Sequence, residues 1–186
     1  MALTPSNMLP LGTKAPKFEL LDTRYNKLMS YDQIKGKLGT VIMFICNHCP
    51  FVIHVNDEIV RVANDYRVQG LGFAAISSND IENYPQDAPQ HMKIVADENN
   101  YTFPYLYDAD QSVAQAYDAA CTPDFYLFDR EDKLVYRGQL DHSRPGNGIP
   151  LTGTSLREAI DAILGNKAVP EPQKPSMGCN IKWKTN

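Results

Sequence analysis

Two cysteines separated by two residues are the part of this sequence that is best placed to do chemistry. They lie in the segment Cys46-Asn47-His48-Cys49-Pro50, between an apolar β-forming run and a helical pattern. A thiolate is the nucleophile of thiol–disulfide exchange, and cysteines at this spacing can bond to each other. A helix N-terminus has free backbone N–H groups and a positive dipole end, which favour a thiolate over a thiol. The sequence therefore predicts a redox-active pair.

The two cysteines and the histidine between them have different expected roles. We expect Cys46 to lie nearest the helix end and nearest solvent, and therefore to be the attacking thiolate. Cys49, one turn further into the helix, would attack a mixed disulfide on Cys46 and release the product. His48 could donate a hydrogen bond or a positive charge to the Cys46 thiolate, which would make the disulfide more oxidising.

A metal site is the main alternative use of this spacing. One C-x-x-C segment supplies half of a tetrahedral zinc site, and Cys121, Cys179 or His48 could supply the remaining ligands. The sequence has no second C-x-x-C segment, so we predict no metal and no cofactor. Inert buried cysteines are a further alternative, but a strand-to-helix turn is a poor place for them.

Strand and helix patterns alternate around the cysteines. Continuous apolar runs at 40–45 and 71–76 predict buried strands, and apolar residues recur at helical spacing from Pro50 to about Val68. Further strands are expected at 18–21, 26–29, 125–128 and 134–137, the last two as an antiparallel hairpin, and further helices at 87–98, 112–119 and 155–164. This alternation predicts one mixed α/β domain with helices on both faces of its sheet.

Prolines mark both ends of the chain. They stand at Pro5, Pro10 and Pro16 near the start and at Pro170, Pro172 and Pro175 near the end. We expect an extended lead-in before the first strand, because proline cannot donate to a sheet or a helix interior. Residues 1–169 would form one domain with an N-terminal extension. Residues 170–186 would form a proline-rich tail packed on that domain and docked by Trp183.

Composition narrows the functional class. The 186 residues include 18 Lys and Arg against 22 Asp and Glu, and 43% are hydrophobic. The charge is therefore not basic enough to favour nucleic acid as a partner. The longest apolar stretch, 41–46, is far shorter than the roughly 20 residues that cross a bilayer, so no membrane is expected. Only four cysteines and no visible secretory signal predict a reducing, cytoplasmic location.

Four segments give the chain a resemblance to a known family; they are 12–18, 44–50, 121–129 and 175–183. The chain resembles the thioredoxin-like superfamily, and within it the peroxiredoxin-like branch of the alkyl hydroperoxide reductase/thiol-specific antioxidant (AhpC/TSA) group. The resemblance implies a thioredoxin fold, a central mixed β-sheet flanked by helices, with an N-terminal β-hairpin extension and a docked C-terminal tail. It also implies that Thr122-Pro123 is the cis-proline loop that faces the cysteines and binds the partner chain.

The sequence departs from two patterns of these relatives. If Cys49-Pro50 matches the peroxidatic Cys-Pro of peroxiredoxins, Cys46 stands where their threonine should be. Cys121 and the two residues after it then stand where their arginine segment should be, so the groups that polarise a peroxide are missing. Thioredoxin also has a buried carboxylate in the strand before its motif, and 41–45 offers none. The proton of Cys49 would have to leave through His48 or water.

The remaining two cysteines are candidate auxiliary thiols. Cys121 lies two residues before Pro123, and it is either a third redox thiol near the pair or a small buried filler. Cys179 lies in the tail, and it is a resolving cysteine, a tail staple or a buried thiol in a docked segment. The sequence slightly favours the last alternative for Cys179.

The sequence therefore predicts a thiol–disulfide oxidoreductase that exchanges disulfides through Cys46 and Cys49. Its substrates would be protein or small-molecule disulfides and thiols, and a dithiol protein would be its electron donor. Two alternatives stay open. One is a peroxiredoxin-like thiol peroxidase that reduces hydroperoxides as an antioxidant. The other is a redox-sensing binding protein with little turnover.

Overall fold

The computed structural model describes residues 3–185, which form ten strands and five α-helices. The strands are β1 (Leu3–Pro5), β2 (Glu19–Asp22), β3 (Lys27–Ser30), β4 (Gly39–Phe44), β5 (Leu71–Ser77), β6 (Tyr105–Tyr107), β7 (Cys121–Thr122), β8 (Asp124–Asp129), β9 (Leu134–Gly138) and β10 (Met177–Asn180). The α-helices are α1 (Tyr31–Ile34), α2 (Pro50–Arg67), α3 (Pro89–Glu98), α4 (Ser112–Ala116) and α5 (Thr154–Leu164), and a 3-10 turn covers Pro85–Asp87. None of the described helices is long and apolar enough to cross a membrane.

A seven-stranded mixed sheet forms the centre of the molecule. Its order is β3-β2-β6-β5-β4-β8-β9, with β4, β5 and β6 parallel to one another and the other neighbours antiparallel. Every residue of β4 and β5 is buried, as expected for parallel strands covered on both faces. Helices α2, α3 and α5 pack apolar residues on one face, and α1 and α4 pack on the other. The predicted mixed α/β architecture is therefore confirmed.

Most elements near the cysteines begin and end within two residues of their predicted positions. The predicted helix at 87–98 begins at Pro89, because proline is favoured in the first helical turn, and the 3-10 turn precedes it. The helix expected at 112–119 ends at Ala116. Ser30 caps α1 through a capping box with Gln33, as its sequence indicates.

A second, smaller sheet was not predicted. Its order is β1-β10-β7, and both strand pairs are antiparallel. It joins the N-terminal lead-in to the C-terminal tail. The prediction that Trp183 docks the tail is wrong, because this side chain is 41% exposed. The tail is held instead by strand pairing and by Ile181, which is 1% exposed and lies in the core.

A buried carboxylate lies beyond the cysteines, on the opposite face of the large sheet. Asp124 pairs across the sheet with Phe44, which belongs to the α1/α4 core. It accepts hydrogen bonds from Ser6 Oγ at 2.7 Å, Tyr126 OH at 3.0 Å and Phe125 N–H at 3.1 Å. Burial raises the pKa of Asp124 to about 7 despite these donors.

We expect Asp124→Asn to change how stability depends on pH. A carboxyl whose folded pKa exceeds its unfolded value contributes stability below about pH 4 and loses it as pH rises through about 7. The variant lacks this titration. As pH rises from about 4 to about 7, its free energy of unfolding should therefore rise relative to that of the wild type by a few kcal/mol, the free-energy equivalent of the pKa shift of Asp124. Urea unfolding of both reduced proteins at several pH values measures this. Free energies of unfolding that differ between the two proteins by the same amount at every pH would contradict the raised pKa of Asp124.

Candidate active site

The C-x-x-C segment forms the turn between β4 and α2, as predicted. Cys49 is the N-cap residue of α2, and Pro50 occupies the first helical position. Cys46 is 2% exposed and Cys49 is 0% exposed. The expectation that Cys46 lies nearest the helix end, with Cys49 one turn further in, is wrong. Proline is best tolerated in the first turn, so Pro50 sets the helix start and places Cys49 at the N-terminus.

The loop before β8 packs directly against both sulfur atoms. Its Thr122–Pro123 peptide bond is cis. Thr122 Oγ1 lies 3.4 Å from Cys46 Sγ. Cys49 Sγ lies 3.2 Å from the carbonyl oxygen of Thr122, a distance at which its thiol form donates a hydrogen bond. The structure thus brings together Cys46, Cys49 and the Thr122–Pro123 loop, which the sequence had placed in one site.

The cysteine pair shares one proton between two unequal sulfurs. A hydrogen bond from Cys46 lowers the pKa of Cys49 to about 5, and hydrogen bonds from Cys179 and from the backbone N–H of Val52 act in the same direction. The same bond with Cys49, burial and the charge of Asp87 raise the pKa of Cys46. Near neutral pH the pair therefore holds one negative charge, which rests on Cys49. The sequence-based prediction assigned this resting charge to Cys46.

Cys179 is the third sulfur of the site. Its Sγ lies 2.6 Å from Cys49 Sγ, and its strand β10 pairs it with Thr122 of β7. It is buried in the docked tail, as the sequence slightly favoured. It also contacts the reactive pair, which the sequence offered only as an alternative.

Cys121 faces a different environment. Its side chain is fully buried, and its Sγ lies 3.9 Å from the carbonyl oxygen of Pro123. Burial raises the pKa of its thiol. Its neighbour is thus a carbonyl oxygen, whereas Cys179 Sγ lies against the sulfur of Cys49, so the geometry favours the filler alternative for Cys121.

His48 is held by a carboxylate that the sequence analysis did not assign to the site. Its Nδ1 lies 2.7 Å from Asp87 Oδ2, and its ring stacks on Tyr84 with centroids 5.7 Å apart. Ring nitrogen, carboxylate oxygen and Cys46 Sγ all lie within 4.8 Å of one another. His48 therefore lies near Cys46, but its Nδ1 faces Asp87 and not Cys46, to which the sequence predicted a hydrogen bond or a positive charge.

Asp87 is a buried carboxylate beside Cys46, whereas 41–45 contains no acidic residue. It is fully buried and accepts hydrogen bonds from the backbone N–H of Asn47 and the side chain of Asn79, both at 2.8 Å. Burial raises the pKa of Asp87, but the hydrogen bonds from His48 and Asn79 outweigh it and hold that pKa below its ordinary value. The carboxylate is therefore ionised, which is why it raises the pKa of Cys46.

One signal in the sequence could have located part of this network. Asn79 follows β5 closely, as Cys46 follows β4, and the two strands are parallel neighbours. Residues at the carboxyl ends of such strands meet at one edge of the sheet. Asp87 gives no comparable signal, because it reaches the site from a separate 3-10 turn.

The three groups Cys46, His48 and Asp87 each offer an atom that could bind a metal. However, both Asp87 oxygens already accept hydrogen bonds, from Asn47 and Asn79, and one of them also pairs with His48. A metal would have to displace these donors. The arrangement is therefore better described as a hydrogen-bond network that holds the C-x-x-C turn.

Replacing Asp87 with asparagine should lower the pKa of Cys46. The substitution removes a negative charge beside this sulfur, and a like charge at such a distance raises a thiol pKa by on the order of one unit. NMR titration of isotope-labelled cysteine in the reduced protein measures the change. Asp57→Asn, at an exposed position on α2, is the matched control and should leave this pKa unchanged. An unaltered Cys46 pKa in the Asp87 variant would contradict the electrostatic role.

Residues 11–137 match the model of the AhpC/TSA family, which covers more than half of the sequence. The chain belongs to the AhpC/TSA family. No curated protein matches it significantly. This AhpC/TSA protein is 60% identical to an uncharacterized conserved protein from Geobacillus kaustophilus, with a TM-score of 0.98 over 100% of this chain and 98% of that one.

Two further solved structures place the AhpC/TSA protein among its neighbours. A hypothetical protein from Sinorhizobium meliloti 1021 is 46% identical, with a TM-score of 0.96 over 98% of this chain and 100% of that one. A thiol:disulfide interchange protein of the thioredoxin family from Chlorobium tepidum TLS is 16% identical, with a TM-score of 0.64 over 83% of this chain and 97% of that one. The last likeness is one of fold, and it confirms the thioredoxin-like architecture.

Proposed function

We propose that this AhpC/TSA protein is a thiol–disulfide oxidoreductase whose redox pair is Cys46 and Cys49. One observation carries the proposal. Two cysteines at a helix N-terminus both lie within hydrogen-bond distance of Thr122, and the pKa of Cys49 is lowered to about 5. A buried pair that holds a thiolate at neutral pH is suited to exchange, because the thiolate is the reactive form.

The exchange begins with movement of the shared proton. Cys49 takes the proton of Cys46, and Cys46 becomes the thiolate, to which Thr122 Oγ1 at 3.4 Å can donate a hydrogen bond. Cys46 attacks the substrate disulfide, forms a mixed disulfide and releases one substrate thiolate, which takes the proton from Cys49. The Cys49 thiolate then attacks Cys46, releases the second substrate thiolate and leaves a Cys46–Cys49 disulfide.

Burial of the pair limits which substrates reach it. Cys46 is 2% exposed and Thr122 is 3% exposed. A substrate disulfide must therefore be small or lie at the end of a slender, extended segment. We propose that Thr122 and Pro123 bind that segment, since they are the residues that already line the sulfurs from the opposite side.

The experiment is reduction of insulin and of a small disulfide, such as cystine, driven by dithiothreitol. We expect turnover with at least the small substrate, and its loss in Cys46→Ser. Cys121→Ala is the matched control, since Cys121 is buried with its Sγ against the carbonyl oxygen of Pro123 and has no part in the proposed exchange, and it should keep most of the activity. No exchange with either substrate by the folded, reduced wild type would overturn the proposal.

A thiol peroxidase is the second candidate function. The buried thiolate of Cys49, directly followed by Pro50, favours a small oxidant such as a hydroperoxide. Consumption of hydroperoxide coupled to a thioredoxin tests this. We expect slow consumption, because Cys46 stands at the position of the peroxide-polarising threonine. Fast consumption without disulfide exchange would favour the peroxidase. A reversible Cys46–Cys49 disulfide without either activity would favour a redox sensor.

The same chemistry indicates which kind of electron donor the protein would use. We propose that a dithiol protein returns electrons to the Cys46–Cys49 disulfide. A cytoplasmic location stays a prediction, in keeping with a compartment where such pairs are kept reduced. The exchange uses only the sulfurs and the shared proton, and for this reason we propose no cofactor.

A further inference from the structure

Three sulfur atoms meet in this site, although the proposed exchange uses only two. Cys49 Sγ lies 2.6 Å from Cys179 Sγ, and Cys46, on the same turn, is the group that lowers the pKa of Cys49 most. That separation is closer than non-bonded contact between sulfurs normally allows. Cys49 therefore stands between two possible disulfide partners, one on its own turn and one on the tail.

The fold holds Cys179 in this place from both sides. Strand β10 lies so close to β7 that a Cβ added at Gly178 would fall 2.0 Å from the carbonyl oxygen of Thr122. Beyond the strand, the backbone N–H of Lys182 donates to Asn79 at 2.8 Å, and Asn79 in turn donates to Asp87 at 2.8 Å. The tail that carries Cys179 is thus tied to the same network that holds the C-x-x-C turn.

In the reduced protein Cys179 supports the charge of its neighbour. Burial, followed by the hydrogen bond to Cys49, raises the pKa of Cys179 to about 12, so it remains a thiol. Its hydrogen bond is one of those that lower the pKa of Cys49. This arrangement places a reduced thiol next to Cys49 at the moment when Cys49 becomes oxidised.

We propose that Cys179 is a third redox thiol of this site and that Cys49 exchanges Cys46 for Cys179 as its disulfide partner. The proposal rests on the proposed function, which supplies the Cys46–Cys49 disulfide. The sulfur of Cys179 attacks Cys49 Sγ, so that the Cys49–Cys179 bond forms and the Cys46–Cys49 bond breaks. Cys46 leaves as a thiolate and takes up the proton that Cys179 gives up. One disulfide replaces another, so the step needs no further oxidant or reductant.

The exchange would change which groups face the substrate. The oxidised state would keep its disulfide in the interior, between the start of α2 and β10, while Cys46 becomes a free thiol again. Cys46 could then react with a second substrate, and the tail would be covalently held as long as the protein stays oxidised.

The test is a time course of disulfide mapping by mass spectrometry. Full-length reduced protein is treated with one equivalent of diamide, quenched with acid and digested. We expect the Cys46–Cys49 disulfide first and the Cys49–Cys179 disulfide afterwards. Full-length Cys46→Ser should form Cys49–Cys179 directly, and Cys46→Ser/Cys121→Ala, the matched control, should form it equally well. Persistence of Cys46–Cys49 alone in the wild type, or a Cys46→Ser protein without the Cys49–Cys179 bond, would overturn the proposal.

A further variant separates this proposal from the proposed function. Cys179→Ser still contains the pair, so it should form Cys46–Cys49 and stop there. If it does so while the wild type never forms Cys49–Cys179, only the role of Cys179 fails. If neither protein forms Cys46–Cys49, the proposed function fails as well. Circular dichroism of each variant confirms that the compared proteins are folded.

Discussion

Replacing Cys49 with serine should lower the rate of disulfide exchange by about three orders of magnitude or more, because this residue serves two steps. It accepts the proton that makes Cys46 reactive, and it later attacks the mixed disulfide on Cys46. Serine keeps the size of the side chain but is neither a thiolate near neutral pH nor a partner for a disulfide. The variant should therefore stop at the mixed-disulfide stage.

The trapped intermediate makes this prediction specific. Mass spectrometry of Cys49→Ser after exposure to cystine should show one half-cystine bound at Cys46, and steady-state assays should show almost no turnover. The control is Cys121→Ala, in which the replaced cysteine is buried and takes no part in the proposed exchange. It should turn over at a rate within about threefold of the wild type. A Cys49→Ser enzyme within about tenfold of the wild type would show that Cys49 does not resolve the intermediate.

The second large effect is on stability, in Gly178→Ala. The added Cβ would lie 2.0 Å from the carbonyl oxygen of Thr122, so β10 and β7 must move apart. Forcing a group into such a packed position costs about 1–3 kcal/mol or more of the free energy of unfolding. The separation would also carry Cys179 away from Cys49, and we therefore expect the pKa of Cys49 to rise because it loses that hydrogen bond.

Urea unfolding and a cysteine titration together test the Gly178 prediction. Gly165→Ala is the control, because its added Cβ would meet its nearest neighbour, the carbonyl oxygen of Asp161, at 3.3 Å, and that position lies at the end of α5. The control should lose little stability and should leave the Cys49 titration unchanged. An unaltered free energy of unfolding in Gly178→Ala would contradict the tight packing of β10 against β7.

The sequence predicted the parts of the site that lie in contiguous patterns. The C-x-x-C turn follows an apolar strand, and the Thr122-Pro123 loop precedes another, so both are visible locally. The start of α2 at Pro50 was predicted correctly, but the sequence-based interpretation assigned the helix end to Cys46 and not to Cys49. Pro50 in the first turn places Cys49 at the N-cap and gives it the resting charge.

The rest of the site depends on contacts that no local pattern encodes. Cys179 reaches Cys49 across 130 residues, and Asp87 reaches Asn47 across 40. The strands of the small sheet have only two to four residues, which is too short for an alternating pattern. Only the tertiary fold shows that Cys179 of the tail contacts Cys49.

The most direct test of the account is the pH titration of thiolate ultraviolet absorbance in the reduced wild-type protein, compared with Cys49→Ser. The absorbance should rise as pH increases through about 5, because that is where Cys49 loses its proton, and the variant should lack this transition. A wild-type protein that shows no thiolate until the ordinary cysteine range, near pH 8.5, would contradict the assignment of a resting negative charge to Cys49.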